Sequence, residues 1–404
     1  MHKSYNILAK KSIIWLVAGL LFFRYSLPAK AIVPNDPEYF RQLPVFEQVN
    51  APAVWDMATG TRDVVVAIID TGVDFDHPDL KDNMWKNSGE ITGNGIDDDN
   101  NGFVDDVFGW NFVEDNGLAK APDIGGFDNE REPLSHGTVI AGLIGAKGNN
   151  GIDGAGLNWN IQIMALRAID NYGSGSYEDI GKAIAYAADN GADIISISFV
   201  GNAYDASLHD TLKQAYDKGI LVVLAAGNSR QIGGGDLDEI PLFPICFDDM
   251  EDNWLLGVTS IDSGNFLSAF ANFGTCVDLV APGENNFSTQ KAGSDNDYKS
   301  FGGAWQGTSF AVPYAVGTAA LIKSVRPDWA AKEIIQAILS TADDVEDINP
   351  AYAGRLGYGR VNVEQAVNRA LLSRTEQIID RLCWAQKSKL FCYDIETDKK
   401  IFLT

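Results

Sequence analysis

The chain has 404 residues, of which 46% are apolar and 21% charged, the balance of a folded protein and not of a disordered one. Its 55 Asp and Glu outnumber 31 Lys and Arg, giving a net charge of −24. Such an acidic excess argues against nucleic acid or an anionic membrane surface as partner, since both need a basic face, and suits cations, most simply Ca²⁺. Four Cys are too few for a disulfide scaffold.

Lys3, Lys10 and Lys11 precede an apolar run from Ile13 to Phe23, and Ala29-Lys30-Ala31 follows it. The run falls short of the roughly 20 residues that span a bilayer. Residues 1–31 therefore read as a secretory signal peptide, with a retained short anchor as the competing reading. Removal takes five basic residues and no acidic one, so the mature charge becomes −29. The expected product is exported, extracellular or periplasmic, with no stable membrane insertion. Residues 32–47 read as irregular. Residues 50–58 read as a short helix with Asn50 as N-cap and Pro52 in the first turn.

Val64–Ile69 is a continuous apolar, β-branched run, as expected of a strand buried on both faces. Similar runs follow at Gln162–Ala165, Ile194–Ser198 and Leu221–Ala225, with helical patterns at Gly137–Ala146, Tyr177–Asn190 and Ala206–Lys218. Further strands are expected at Trp254–Ser260 and Val277–Val280, and helices at Thr308–Val325, Ala331–Thr341 and Val363–Ala370. This alternation predicts an α/β fold with a doubly wound, mostly parallel sheet and helices on both faces. Residues 81–135, rich in Gly, Asn and Asp, break the rhythm and read as an inserted loop region.

In such sheets ligands gather at the carboxyl ends of the strands. Asp70 stands at the end of the first buried strand. His136 opens a helix, and Ser309 opens another that carries Ala311, Ala315, Gly317, Ala319 and Ala320. Singly, each has an ordinary structural explanation as a turn residue, a hydrogen-bonded His or an N-cap. Jointly, in the order Asp, His, Ser, they match one of the convergent arrangements for nucleophilic catalysis.

The phrases Val66-Ala-Ile-Ile-Asp70-Thr-Gly-Val73, His136-Gly-Thr-Val-Ile-Ala-Gly142 and Gly307-Thr-Ser-Phe-Ala-Val-Pro313 resemble the subtilisin-like serine peptidases (subtilases). So do Ala225-Ala-Gly-Asn228, Val277-Asp-Leu-Val-Ala-Pro-Gly283 and Gly357-Tyr-Gly-Arg-Val-Asn362, and the resemblance spans roughly residues 36–370. It implies a peptidase domain over 32–370, followed by a C-terminal extension over 371–404. It implies a serine endopeptidase acting on polypeptides through an acyl-enzyme. Ser309 would be the nucleophile, His136 the base and then the acid, and Asp70 the group orienting the imidazole. Asn228 and the Ser309 N–H would hold the oxyanion. The resemblance also places substrate between two backbone edges, Gly173-Ser174-Gly175 and Ser198-Phe199-Val200, with Ala225 and Gly227 beside them. The family usually has Gly where this chain has Val200, and commonly His where it has Tyr314. The 38 residues between Ala31 and Asp70 leave no room for a folded propeptide of the family's kind, so maturation is expected to differ.

Within the loop region, Asp97, Asp99, Asn101, the Phe103 carbonyl and Asp105 follow the oxygen spacing of an EF-hand loop, with Gly102 at the turn and Phe108 where the bidentate Glu would stand. Calcium is the expected ligand, against an acidic solvated loop. Asp79 and Asn150 resemble a second calcium site of the family, with a metal-free turn as the alternative. Cys246 and Cys276 flank one strand, and Cys383 and Cys392 lie close together in the tail, whose segments 390–393 and 400–403 read as a hairpin. The pairing of these cysteines stays open. Two other functions fit the same residues: a non-catalytic docking protein, and a calcium-dependent interaction module at 81–135. No sequence feature sets an oligomeric state.

Overall fold

The structure, a computed structural model, describes residues 32–120, 136–248, 253–290, 300–386, 389–394 and 399–403, with side chains to residue 373. The signal-peptide segment 1–31 and residues 121–135 of the loop region lie outside the described residues. Strand β1 (Val65–Asp70) is buried at every position, as a strand can be only when both faces of its sheet are covered. β2 (Gly109–Asn111), β3 (Gln162–Arg167), β4 (Ile194–Ile197), β5 (Leu221–Ala225), β6 (Leu256–Ile261) and β7 (Leu279–Pro282) complete a parallel sheet in the order β2-β3-β1-β4-β5-β6-β7. β1 thus lies where successive connections leave for opposite sides of the sheet. That is the crevice where an open α/β sheet binds its ligands.

The helices are α1 (Tyr39–Gln48), α2 (His136–Gly145), α3 (Tyr177–Asp189), α4 (Ala206–Asp217), α5 (Thr308–Val325), α6 (Ala331–Leu339) and α7 (Val363–Leu382). Val66 and Ile68 join a core with α1, α2, α5, α6 and α7, whereas Val65, Ala67 and Ile69 join a second core with α3 and α4. The strand period of two explains the division. It also puts Asp70 on the face of Val66 and Ile68, toward α2 and α5. Each fully buried Val or Ile contributes about 1.5–3 kcal/mol, so both faces are strongly specified.

Some expectations are corrected. Residues read as irregular form α1, with Pro44 inside it. The helix persists because Tyr39 and Phe46 pack on Trp55, and Phe46 on Tyr314 of α5. The helix expected at 50–58 is a single 3-10 turn, Pro52–Val54, and Asn50 has φ 57, not the extended geometry of an N-cap. The loop region contributes β2, which extends the sheet beside β3. An antiparallel hairpin of β8 (Asn286–Thr289) and β9 (Phe301–Trp305) packs on α2. α7 runs twelve residues past its expected end at Ala370. Beyond it β10 (Cys383–Gln386), β11 (Lys389–Asp394) and β12 (Lys399–Leu403) form an antiparallel sheet with Cys383 opposite Cys392. Cys246 and Cys276 form a disulfide.

Candidate active site

Asp70 leaves β1 at its carboxyl end and is buried, with Thr71 N–H donating to its Oδ1 at 2.7 Å. His136 begins α2, and its Nδ1 lies 2.9 and 2.8 Å from the two Asp70 oxygens. An ionised carboxylate only accepts, so the assignment that fits this contact puts the proton on Nδ1 and the lone pair on Nε2. Burial opposes the imidazolium, but the charge and hydrogen bond of Asp70 outweigh it, and the His136 pKa rises above the ordinary 6.5. Only Gly fits at 137, since a Cβ there would stand 2.4 Å from the Gly72 carbonyl oxygen. The His136 ring also rests on Phe310, centroids 5.3 Å apart, and Phe310 stacks on Trp305 at 6.1 Å.

Ser309 is the second residue of α5, and its hydroxyl donates to the Ser198 carbonyl at 3.2 Å rather than to the imidazole. Three N–H groups at this helix start have distinct fates. Thr308 N–H donates to Asn228 Oδ1 at 2.9 Å, and Phe310 N–H to the Gly307 carbonyl at 3.0 Å. Among the described residues, Ser309 N–H has no partner and is an orphan donor of the helix terminus. The Asn228 side chain is fixed from the same place, because Thr308 Oγ1 also donates to its Oδ1 at 3.1 Å. With that oxygen held, Nδ2 is the donor end this exposed residue leaves over. Thr308 was not singled out by its sequence, although it sits inside the Gly307-Thr308-Ser309 motif.

The two expected edges differ in what they leave for a partner strand. Ser174 is used up locally, its N–H on the Asp170 carboxylate at 2.9 Å and its carbonyl accepting Asp170 N–H at 2.7 Å. Gly173 donates its N–H to the Asp170 carbonyl. Among the described residues, the backbone groups of Gly175 and Val200 have no such partners. Phe199 and Val200 pack on the α3–α4 core, while Ala225 and Gly227 are buried. Tyr314, at the position where the family commonly has His, is buried and donates to Asn286 Oδ1 at 2.7 Å; burial pushes its phenol up.

In the acidic loop, Asp97 accepts from the Asn101 and Gly102 N–H groups at 3.1 and 2.8 Å, and Asp99 accepts from Asn101 N–H at 3.1 Å. Asp105 instead turns its oxygens onto the N–H groups of Gly93, Asn94 and Gly95. Glu90, without any signal in the spacing, brings a carboxylate oxygen within 4.8 Å of those of Asp97 and Asp99. The Phe103 ring anchors the loop against Trp110 and Tyr186, at 5.0 and 4.9 Å. Buried Asp106 accepts from Asn87, Asn101 and the Tyr186 hydroxyl at 2.7, 3.0 and 2.5 Å.

Asp79 and Asn150 also meet, at 2.7 Å. Asp79 Oδ2 is buried and has no partner among the described residues, and burial pushes this carboxyl up to about 8, with Asp153 and Asp36 adding to the effect. A buried carboxylate with one orphaned oxygen among other acids fits a cation ligand. His77 beside it is structural. Its Nδ1 accepts Asp79 N–H at 3.1 Å, its Nε2 bonds the Ser300 carbonyl at 2.8 Å, and burial lowers its pKa.

Comparison with known proteins gives one picture. The model of the subtilase family matches residues 61–359. A thermophilic serine proteinase of Bacillus sp. (strain AK1) is 33% identical over 340 residues, covering 83% of this chain and 70% of the relative. Thermitase of Thermoactinomyces vulgaris is 32% identical over 337 residues, covering 83% of this chain and 99% of the relative. A solved structure described as proteases from Pseudoalteromonas arctica superposes with a TM-score of 0.66 at 29% identity, covering 84% of this chain and 100% of that one.

Proposed function

This chain belongs to the subtilase family and is a serine-type endopeptidase, and we propose that it works through Ser309, His136 and Asp70 with an acyl-enzyme intermediate. The observation that carries this reading is the 2.8 Å Asp70–His136 pair at one helix start, with the His136 ring resting on Phe310, the residue next to Ser309 at the other helix start. A polypeptide lies extended along Gly175 and Val200, whose backbone groups can pair with it. Ser309 Oγ leaves the Ser198 carbonyl and attacks the substrate carbonyl while His136 Nε2 takes its proton. Asp70 stays ionised and stabilises the imidazolium. The new oxyanion accepts from Asn228 Nδ2 and Ser309 N–H, both fixed before substrate arrives. His136 then protonates the leaving amine, and water repeats the sequence to free the acyl group.

Residues 1–31 support export by a signal peptide. Among the described residues no helix is long and apolar enough to cross a membrane. Calcium suits both acidic sites. Asp97, Asp99, Asn101 and the Phe103 carbonyl, joined by Glu90, would hold one ion, with Asp105 serving through the turn it caps. Asp79 and Asn150 would hold another. The ion supplies charge neutralisation and loop order, and takes no part in the chemistry above.

The test is Ser309→Ala. It is expected to lower kcat by about 10⁶, the size a lost triad nucleophile has in subtilisin. A mutant that cleaves peptides at the wild-type rate refutes the assignment.

A further inference from the structure

β4 and β5 run parallel with Ile197 opposite Leu224, and counting on three residues along each places Val200 opposite Gly227. Beyond the last ladder pair the two segments border a slot. One wall carries the Ser198 carbonyl that bonds Ser309, and the other ends in Asn228. On the catalytic reading above, a substrate whose carbonyl carbon meets Ser309 and whose oxygen meets Asn228 turns the side chain of that same residue toward this slot.

The slot is already partly filled. A Cβ placed on Gly227 would stand 3.0 Å from Val200 Cγ2, 3.4 Å from Leu242 Cδ1 and 2.8 Å from Asn272 Nδ2. The Val200 methyl therefore reaches the opposite wall, and Leu242 lies behind it. Neither is free to swing away. Gly201 N–H donates to the Phe243 carbonyl at 2.7 Å and Phe243 N–H to the Gly201 carbonyl at 2.9 Å, which clamps the residues after Val200 and Leu242 together. The chain cannot retreat behind Gly201 either, where a Cβ would already stand 2.1 Å from the Tyr177 hydroxyl oxygen. Val is β-branched and stiff at χ1, so its methyls stay where the backbone puts them.

We propose that Val200 sets the specificity of this peptidase by closing the slot to large side chains, so that cleavage follows small, uncharged residues, Ala above all. The proposal rests on the catalytic reading above and adds the substrate class. Aromatic and long aliphatic residues are excluded by volume, and charged ones because Val200 and Leu242 are apolar and the one polar neighbour named above, Asn272 Nδ2, already donates to the Ala226 carbonyl at 2.9 Å.

Two tetrapeptide anilides that differ only in Ala or Phe at the acyl-donor residue test it. Pocket discrimination runs to about 10–200-fold per methylene, so wild type is expected to favour Ala by at least about 100-fold in kcat/KM. Val200→Gly is expected to shift the ratio toward Phe by at least about 10-fold, and Val200→Ala by an intermediate amount. The ratio is taken within one preparation, so a partly folded variant does not distort it, and Val200→Ala serves if Val200→Gly fails to fold. Equal or faster cleavage of the Phe substrate by wild type overturns the proposal, as does a ratio unmoved by both variants. Labelling of Ser309 by a small organophosphate separates the two levels. A labelled enzyme with an unmoved ratio sinks the slot inference alone, and an unlabelled wild type sinks the catalytic reading beneath it.

Discussion

Thr308→Val removes one oxygen from the site and keeps nearly the same shape. That hydroxyl accepts from Gly227 N–H at 3.0 Å and donates to Asn228 Oδ1 at 3.1 Å, and Thr308 is buried. Losing it leaves Gly227 N–H buried without an acceptor, which costs about 1–3 kcal/mol. For a domain of this size that lowers Tm by about 1–4 °C. On the proposed mechanism the catalytic effect comes through Asn228. Its Oδ1 keeps the bond from Thr308 N–H at 2.9 Å but loses the second tether, so the amide can rotate. A single neutral hydrogen bond is worth about 1 kcal/mol, or roughly fivefold in rate. Complete loss of an oxyanion donor of the kind proposed for Asn228 costs about 10²–10³ in subtilisin, which bounds the effect from above. The expected fall in kcat therefore lies between about fivefold and about 100-fold, with KM nearly unchanged. Thr308→Ser, which retains both bonds, should restore kcat. The assay is steady-state hydrolysis of a peptide anilide, with thermal melts of all three proteins. If Thr308→Val melts lower yet keeps wild-type kcat, Asn228 does not depend on this tether for catalysis. If KM moves and kcat does not, Asn228 binds ground-state substrate.

Two further outcomes follow from the electrostatics. Asp70 raises the His136 pKa above 6.5, and a base in the role proposed for His136 must be neutral to work, so kcat/KM should fall as pH drops through that raised value. Asp70→Asn removes the charge, so the acid limb of the pH profile should move to lower pH while the plateau falls by about 10⁴; a limb that stays in place would assign it to another group. Chelation should lower the unfolding temperature, because a native-state ligand at a hundredfold excess over Kd stabilises by about 2.7 kcal/mol. Glu90→Gln, or Asp97→Ala with Asp99→Ala, should reproduce the chelator effect and blunt any more of it, with initial activity at low temperature largely kept. Identical melts in calcium and in chelator would leave the loop a plain acidic surface.

The parts legible from the chain alone are those written in short-range patterns. β5 falls on Leu221–Ala225 and α5 on Thr308–Val325, as their apolar runs predict. A strand buried on both faces, or a helix lined with small residues, declares itself within a few turns of chain. The places of Asp70, His136 and Ser309 are legible for the same reason, since each sits at the end or start of such an element. α1 is hidden by Pro44, whose lost backbone bond is offset by packing on Trp55 and Tyr314. β2 is too short to show a period and exists as a strand only because β3 lies beside it.

The same limit applies inside the site. Glu90 reaches Asp97 and Asp99 by a loop path that no spacing rule describes. Thr308 acts on Asn228 across 80 positions of chain, and Val200 meets Gly227 through strand register. A residue's place along its own element is set by local periodicity and capping. The partner it meets depends on how distant elements align, and that is settled only when their buried faces pack together.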